Sequence, residues 1–253
     1  MKVTILGCGS SGGVPLIGNN WGSANPANPH NRRLRPSILV EEGDVTLLVD
    51  TGPDMREQLL ACGLRKLTAV LYTHAHADHT HGLDDLRSVN WLTGKPVPIY
   101  ADAVTMAELE EKFAYVFHKP SGDKFYKPSL EPHLIDGPLQ FGAIAVSSFR
   151  QEHGPVHSLG FRFNDFAYST DAHHLDEAAF AALRGVKTWI VDCIRDRPHP
   201  THSHLEQTLG WIERVKPERA WLTHMDHNLD YAMLRSKLPP HVMPAHDGLV
   251  ITC

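Results

Sequence analysis

The stretch that decides the fold is Thr73-His74-Ala75-His76-Ala77-Asp78-His79, which contains four side chains able to bind a metal ion. On an extended backbone His74 and His76 point to the same side, whereas on a helix they would lie about 200° apart. Imidazoles together with a carboxylate suit zinc, manganese or iron, and four such groups without a cation would cost stability. The run therefore predicts a metal site rather than a solvated histidine-rich loop.

The ligand run follows residues 67–72, a short apolar segment that predicts a buried strand. His153, Asp171 and His224 each come after another strand-like segment, where loops on a rigid sheet usually carry function. Seven ligands are too many for one tetrahedral ion, and they suit two ions that share a bridging carboxylate and a bridging water. The seven candidates are His74, His76, Asp78, His79, His153, Asp171 and His224.

The HxHxDH run, followed by a later His, Asp and His, resembles the metallo-β-lactamase superfamily of binuclear metallohydrolases over nearly the whole chain. The resemblance implies a four-layer αβ/βα sandwich of the α/β (α+β) class, with the metals at one edge of two facing sheets. It also implies that Asp50 orients the ligand loop by hydrogen bonding. The implied ligands are His74, His76 and His153 on one metal and Asp78, His79 and His224 on the other, with Asp171 bridging them.

A second motif, Gly7-Cys8-Gly9-Ser10-Ser11-Gly12, has the spacing of a dinucleotide-binding fingerprint. That fingerprint requires a helix, and residues 13–20 contain one Pro, two Gly and two Asn, which do not predict one. The stretch instead resembles a superfamily branch that includes ribonuclease Z and the PhnP-type cyclic-phosphate phosphodiesterase. Its small residues would let the backbone approach the metals or a phosphate, which makes Ser10 and Ser11 candidates for substrate contact.

Several other polar residues are candidates for catalysis or substrate contact. His202 matches the position at which the phosphodiesterase branch has an acid or phosphate contact, and His204 is the runner-up. His202 and the ligand Asp78 are therefore the predicted catalytic residues. Arg33 belongs to a basic cluster over residues 31–35, where a solvated charge run is the alternative, and its guanidinium fork suits a phosphate.

Two further histidines, His157 and His227, could each have more than one role. His157 competes with His153 as a ligand, and the family spacing to Gly160-Phe161 favours His153. His227 stands where the PhnP type has a histidine that joins a cysteine cluster in a structural zinc site. Residues 18–30 contain no cysteine, which argues against that zinc and leaves His227 for substrate contact or packing.

Composition limits the class of protein. With 253 residues, 42% of them hydrophobic, the chain can form one domain over residues 1–253. Its net charge of −5 argues against a broad nucleic-acid surface. The four cysteines form no CxxC pair, the first residues predict a strand rather than a signal peptide, and no apolar run approaches about 18 residues. These features predict a cytoplasmic protein without a membrane partner.

Hydrophobic patterning predicts an alternation of strands and helices. Residues 116–138 contain aromatic side chains that need burial, and we expect an ordered excursion or flap over the site there. The expected strands are 2–6, 37–41, 45–49, 67–73, 97–100, 143–149, 159–163, 166–169, 188–192, 219–223 and 249–252. The expected helices are 53–61, 103–116, 174–184, 204–214 and 228–237.

These features together predict a binuclear metal-dependent phosphodiesterase acting on a small nucleotide-like or cyclic phosphate ester. Two zinc or manganese ions would lower the pKa of a shared water, and His202 would protonate the leaving alkoxide. The alternatives are a lactonase- or thioesterase-type hydrolase, ribonuclease Z-type tRNA processing, and a non-catalytic nucleotide-binding protein. The ligand run does not separate these functions, because the fold does not fix the substrate. The choice of metal and the oligomeric state, a homodimer included, stay open.

Overall fold

The computed structural model describes residues 1–118 and 129–253. The strands are β1 (Lys2–Gly7), β2 (Ser37–Glu42), β3 (Val45–Val49), β4 (Ala69–Leu71), β5 (Val97–Ala101), β6 (Leu130–Leu134), β7 (Leu139–Phe141), β8 (Ile144–His153), β9 (Val156–Phe163), β10 (Phe166–Ser169), β11 (Thr188–Asp192), β12 (Arg219–Thr223), β13 (Val242–Pro244) and β14 (Val250–Thr252). The helices are α1 (Met55–Ala61), α2 (Ala77–Thr80), α3 (Leu86–Thr93), α4 (Ala103–Lys112), α5 (Ala114–Phe117), α6 (Glu177–Ala182), α7 (Leu205–Val215) and α8 (Tyr231–Lys237).

The described strands form two seven-stranded sheets, ordered β14-β1-β2-β3-β4-β5-β6 and β13-β12-β11-β10-β9-β8-β7. Strands β3 to β6 run parallel to one another, and so do β10 to β13. The remaining neighbours are antiparallel. Because parallel strands end at the same edge of a sheet, the loops after β4, β10, β11 and β12 can converge on one site.

Alternating burial along the strands produces the layers. In β4, Ala69 and Leu71 join the core cluster that also holds Phe161 of the second sheet, whereas Val70 belongs to a separate cluster. That separate cluster contains apolar residues of α1, α3 and α4, so these helices cover the outer face of the first sheet. Trp211 of α7 packs with the second sheet. The predicted four-layer sandwich is confirmed.

Several short elements were not predicted from the sequence. They are β6, β7, β13, α2 and α3. Strand β6 contains Pro132, which edge strands tolerate because one side of the strand needs no backbone donor. The helix expected over residues 103–116 ends early because Phe113 leaves the helical region, with φ −126° and ψ 32°.

The expectation of a flap over residues 116–138 is wrong for one part of the segment and untested for another. Strand β6 pairs in parallel with β5, so residues 130–134 belong to the first sheet rather than to a flap. Residues 119–128 lie outside the described part of the chain, and the expectation for them stays a prediction. Within the described residues, no helix is both long and apolar enough to cross a membrane.

Candidate metal centre

The ligand run turns out of the first sheet directly after β4. His74 is buried, and His76 is the extended residue before α2, with φ −64° and ψ 154°. The Thr80 hydroxyl donates to the His76 carbonyl at 2.9 Å, which joins the last residue of this short helix to its N-cap residue. Helix α2 then directs Asp78 and His79 into the protein, where both are buried.

The structure brings all seven predicted ligands together as two groups that share one carboxylate. Within each group the ligand atoms lie within 4.8 Å of one another. The first group is His74, His76, His153 and Asp171, and the second is Asp78, His79, Asp171 and His224. His76 is exposed and the other ligands are buried, so the first group opens to solvent and the second does not. Their role as ligands stays a prediction.

Hydrogen bonds behind the ligands fix the orientation of the rings. Asp50 is fully buried, and its Oδ2 lies 2.7 Å from Nδ1 of His79. The backbone N–H and the hydroxyl of Thr73 both donate to the Asp50 carboxylate at 2.8 Å. On the other group, Nδ1 of His153 lies 2.7 Å from the Thr201 carbonyl oxygen. Each contact turns the Nε2 atom of the ring toward the shared carboxylate.

Three residues at the site have left-handed backbone conformations although none is glycine. They are Asp50 with φ 63°, Asp171 with φ 56° and His224 with φ 59°. Such a conformation costs on the order of 1–3 kcal/mol for a residue with a side chain, and such residues cluster at functional sites. Each of the three follows the end of a strand, where this turn aims its side chain at the cluster.

Buried ring nitrogens without a hydrogen-bond partner indicate that the cluster fits a cation. Within the described residues, the buried Nε2 atoms of His74, His79 and His224 have no hydrogen-bond partner. A buried polar atom without a partner costs about 1–3 kcal/mol, and a bound metal would remove that cost at all three. Imidazoles and carboxylates are suitable ligands for zinc and manganese.

Burial and neighbouring charged groups shift the pKa values of the carboxyl groups and imidazoles in the cluster. Burial acts to raise the pKa of Asp171, but His224 and His79 outweigh burial and hold that pKa well below its usual value. Burial acts to lower the pKa of His79, but Asp171, Asp78 and Asp50 raise it well above the usual value. Burial lowers the pKa of His74. The shared carboxylate is therefore ionised and surrounded by nitrogen ligands.

His202 contacts both ligand groups. Its ring centroid lies 4.7 Å from that of His153 in the first group, and the ring stacks on His224 of the second group, also at 4.7 Å. Burial lowers the pKa of His202, but Asp192 and the more distant Asp171 raise it to about 8. His204 is the N-cap of α7, and within the described residues its ring makes no contact with the cluster.

Asp192 is a site residue that the sequence analysis missed. It is fully buried at the end of β11, and its Oδ2 lies 3.5 Å from Nδ1 of His202. The backbone N–H and the hydroxyl of Ser203 donate to the same oxygen at 3.0 and 3.2 Å. Its position at the end of a strand-like segment, close to the positions of the other ligand-type residues, is the signal that could have found it.

The glycine-rich loop lies beside the second ligand group. Gly9 pairs with Met225, the residue after His224, and the Ser10 N–H donates to the Met225 carbonyl at 3.1 Å. Ser10 is buried and Ser11 is exposed. The loop is therefore close enough to the site for substrate contact, which stays a prediction.

Arg33 requires a correction. Its side chain is 1% exposed and donates to the carbonyl oxygens of Asp226 at 3.0 Å and Leu229 at 2.7 Å. These bonds fix the loop after β12 and leave no open face of the guanidinium for a phosphate. The sequence could not show this, because the charge of Arg33 is paired by backbone carbonyls about 190 residues away in the chain.

The remaining two histidines serve different contacts. His157 lies 2.5 Å from the Asp102 carboxylate and belongs to neither ligand group. The His227 carbonyl accepts from the N–H of Ser23 at 3.0 Å, and a side chain at Gly22 would collide with the His227 ring. His227 thus anchors the loop before β2, and substrate contact by its ring stays a prediction.

Comparison with known proteins places this geometry in a family. Residues 46–225 match the beta-lactamase superfamily domain. The crystal structure of a new diphosphatase from the PhnP family superimposes with a TM-score of 0.91 and 35% identity, covering 100% of this chain and 97% of that one. The short form of human tRNase Z shares the fold, with a TM-score of 0.70 and 18% identity over 100% of this chain and 99% of that one.

Curated relatives include three kinds of protein. An octanoyltransferase of Porphyromonas gingivalis is 30% identical over 98% of this chain and 51% of that protein. The anti-Pycsar protein Apyc1 of Paenibacillus harenae is 28% identical over 77% of this chain and 84% of that protein. A ribonuclease Z of Bradyrhizobium is 30% identical over 61% of this chain and 51% of that protein.

The chain spans about half the length of the octanoyltransferase and of the ribonuclease Z that it matches. The stretch that matches the superfamily domain begins in β3, ends just after β12 and includes every candidate ligand. We conclude that the chain belongs to the beta-lactamase superfamily.

Proposed function

We propose that the protein hydrolyses the phosphodiester bond of a small nucleotide-like or cyclic phosphate ester, using two divalent zinc or manganese ions. When bound, two such ions would polarise the phosphoryl oxygens and lower the pKa of a water molecule. His74, His76, His153 and Asp171 would hold one ion, and Asp78, His79, Asp171 and His224 the other. The observation that carries the proposal is the contact of His202 with both groups.

His202 would give a proton to the leaving oxygen. Its Nδ1 faces Asp192, so Nε2 is the nitrogen that can reach a substrate. Asp192 is itself held by Ser203, which keeps the ring from turning away. An alkoxide is a poor leaving group, and general acid catalysis of this kind contributes about 10²–10⁴-fold to a rate. His202 would thus act as the acid and Asp192 as a positioning residue.

The comparison with known proteins favours phosphorus over carbon esters. The PhnP-family protein that matches almost end to end is described as a diphosphatase, so cleavage of a diphosphate bond is the second candidate function. The octanoyltransferase matches over only about half its length, which gives little support for acyl chemistry. The ribonuclease Z match covers a smaller part of this chain, and tRNA processing has correspondingly less support.

The test uses metal-stripped protein reconstituted with Mn²⁺ or Zn²⁺. We would measure hydrolysis of bis(p-nitrophenyl) phosphate, a 2′,3′-cyclic nucleotide and ADP, with an aryl carboxylate ester and a lactone as controls. We expect metal-dependent cleavage of a phosphodiester and no cleavage of the carbon esters. Cleavage of ADP alone would favour the diphosphatase function, and cleavage of the carbon esters alone would overturn the proposal.

The role of His202 is tested by two variants. We expect His202→Ala to lower kcat on the cyclic nucleotide by about 10²-fold or more, and to have less effect on the p-nitrophenyl ester, whose leaving group needs no proton. His204→Ala is the matched control, since it lies two residues away and outside the cluster. Metal content by mass spectrometry must be equal in all three proteins. Equal losses on both substrates would argue against the acid role.

A further inference from the structure

A polar cleft of about 290 Å³ lies between loops that also carry residues of the candidate site, and the proposed reaction does not use it. Its lining residues are Ser23, Asp196, Arg197 and Asn228. They come from three loops: the one before β2, the one between β11 and α7, and the one after β12. The second of these loops also carries His202, and the third begins at the ligand His224.

Short contacts connect the cleft to the reacting site. His199 follows Arg197 by two residues, and its ring lies 5.0 Å from the ring of His202. The Asp226 N–H donates to the Ile194 carbonyl at 2.9 Å, which joins the second loop to the third. The loop that carries Asp196 and Arg197 therefore also contacts the ring of His202, through His199.

The loop that carries Asp196 and Arg197 is held in shape by Arg195. The guanidinium of Arg195 donates to the carbonyl oxygens of Arg197 at 3.2 Å and Pro198 at 2.7 Å. On the opposite wall, the Asp226 carboxylate accepts from the Asn228 N–H at 2.7 Å and from its side-chain amide at 3.0 Å. Both walls are thus ordered by the protein itself before any ligand arrives.

The charged groups at the mouth of the cleft are available for a ligand. Within the described residues, the side chains of Asp196 and Arg197 make no hydrogen bond or ion pair, and both are exposed. The cleft therefore offers a carboxylate, a guanidinium, a hydroxyl and an amide in one place. A second phosphate would be attracted by Arg197 but repelled by Asp196. A neutral polyhydroxyl group can donate to the carboxylate and accept from the guanidinium at once.

We propose that this cleft binds the hydroxylated sugar of the substrate, with Asp196 and Arg197 as the residues that determine specificity. The reaction would then favour phosphate esters that carry a ribose-like diol over simple aryl or alkyl esters. The inference deepens the proposed function, because it names the group attached to the scissile phosphate. It predicts that the diol hydroxyls donate to Asp196 and accept from Arg197.

The experiment compares two substrates that differ by the diol alone: the p-nitrophenyl ester of adenosine 5′-phosphate and its 2′,3′-dideoxy analogue. We expect wild-type protein to prefer the ribose ester through a lower KM. Asp196→Asn and Arg197→Ala should each reduce that preference about tenfold, the usual order for a hydrogen bond to a charged group. Asp44→Asn, in the turn between β2 and β3, and Arg56→Ala, in α1, change exposed side chains and are the matched controls. Both control variants should keep the preference of the wild type.

A binding measurement separates failure of the subsite from failure of the proposed reaction. Calorimetric titration of the metal-loaded protein with adenosine 5′-monophosphate and with its dideoxy analogue needs no turnover. A preference for the diol that Asp196→Asn removes, in a protein that cleaves neither ester, would support the subsite and overturn the phosphodiesterase. Equal affinity for both ligands together with equal KM for both esters would overturn the subsite. A preference that survives in both variants would overturn it as well.

Discussion

Asp171 is a buried carboxyl group and Asp247 a partly buried one, and their surroundings shift their pKa values in opposite directions. Burial acts to raise both pKa values. At Asp171 the imidazoles of His224 and His79 outweigh burial and hold the pKa well below its usual value. At Asp247 the pKa is raised to about 6, because the contacts with Leu34, Cys8 and Arg33 offset burial only in part.

The contacts of the two carboxyl groups indicate a different role for each. Asp247 accepts the N–H of Cys8 at 3.1 Å and of Leu34 at 2.7 Å, so it joins the loop after β1 to the residues before β2. Asp171 has left-handed backbone and belongs to both ligand groups. A buried charge is tolerated where cations or cation ligands surround it, and elsewhere the group tends to keep its proton. These surroundings fit the predicted role of Asp171 as the shared metal ligand and a structural role for Asp247.

Removal of the shared carboxylate should have the largest effect. Asp171→Ala takes a ligand from both groups at once, and we expect more than a hundredfold loss of hydrolysis together with loss of bound metal. This exceeds the cost of about 10–100-fold for losing a partner behind a ligand. Metal content and kcat/KM would be measured side by side, with Asp165→Ala as control on the exposed turn between β9 and β10. Two tightly held metals in Asp171→Ala would contradict the bridging role.

A smaller effect is expected behind the ligands. Asp50→Asn keeps an oxygen for the Thr73 N–H but cannot also accept from His79 Nδ1, which lies 2.7 Å away in the native protein. We expect metal affinity to fall about 10–100-fold, as it does when the partner of a ligating histidine is lost. The affinity should fall for one ion only, because His153 of the first group has its own contact, with the Thr201 carbonyl oxygen. Competition with a chelator would measure it, and a single-step loss of both metals would show that the groups are not independent.

The sequence could predict which candidate ligands come together because their positions follow from local rules. A histidine or aspartate directly after a strand-like segment identified His153, Asp171 and His224, and the HxHxDH run supplied the rest. The structure brings all seven together, and the four-layer fold is confirmed. Sequence reasoning therefore works best for side chains whose position depends only on where one strand ends.

What the sequence could not show depends on contacts between distant loops. Arg33 looked like part of a phosphate-binding cluster, but its guanidinium is buried against carbonyl oxygens of the loop after β12. Asp192 shows its relation to His202 only once the loop before α7 has folded back over β11. Edge strand β6 carries little apolar signal, because most of its side chains are exposed. In each case a tertiary partner decided the role.

The smallest expected effect is the pH dependence contributed by Asp247. Its pKa is about 6 in the folded protein and near 3.8 when the chain is unfolded, so the fold favours the protonated form. Its contribution to the free energy of unfolding therefore falls as pH rises from about 4 to about 6, and is level above. When the pH is lowered from 7 to 5, the free energy of unfolding of the wild type should rise by about 1 kcal/mol more than that of Asp247→Asn.

Urea unfolding of metal-stripped protein at pH 5 and pH 7 measures this, because other groups titrate alike in both proteins and cancel in the difference. Asp44→Asn is the control, since Lys66 lowers the pKa of that exposed carboxylate and moves its titration away from this window. A difference between wild type and Asp247→Asn that stays constant from pH 5 to pH 7 would mean that Asp247 is ionised in the fold. Asp171 and Asp247 would then both be ionised in the fold, and the contrast between a site carboxylate and a structural one would rest on the metal ligands alone.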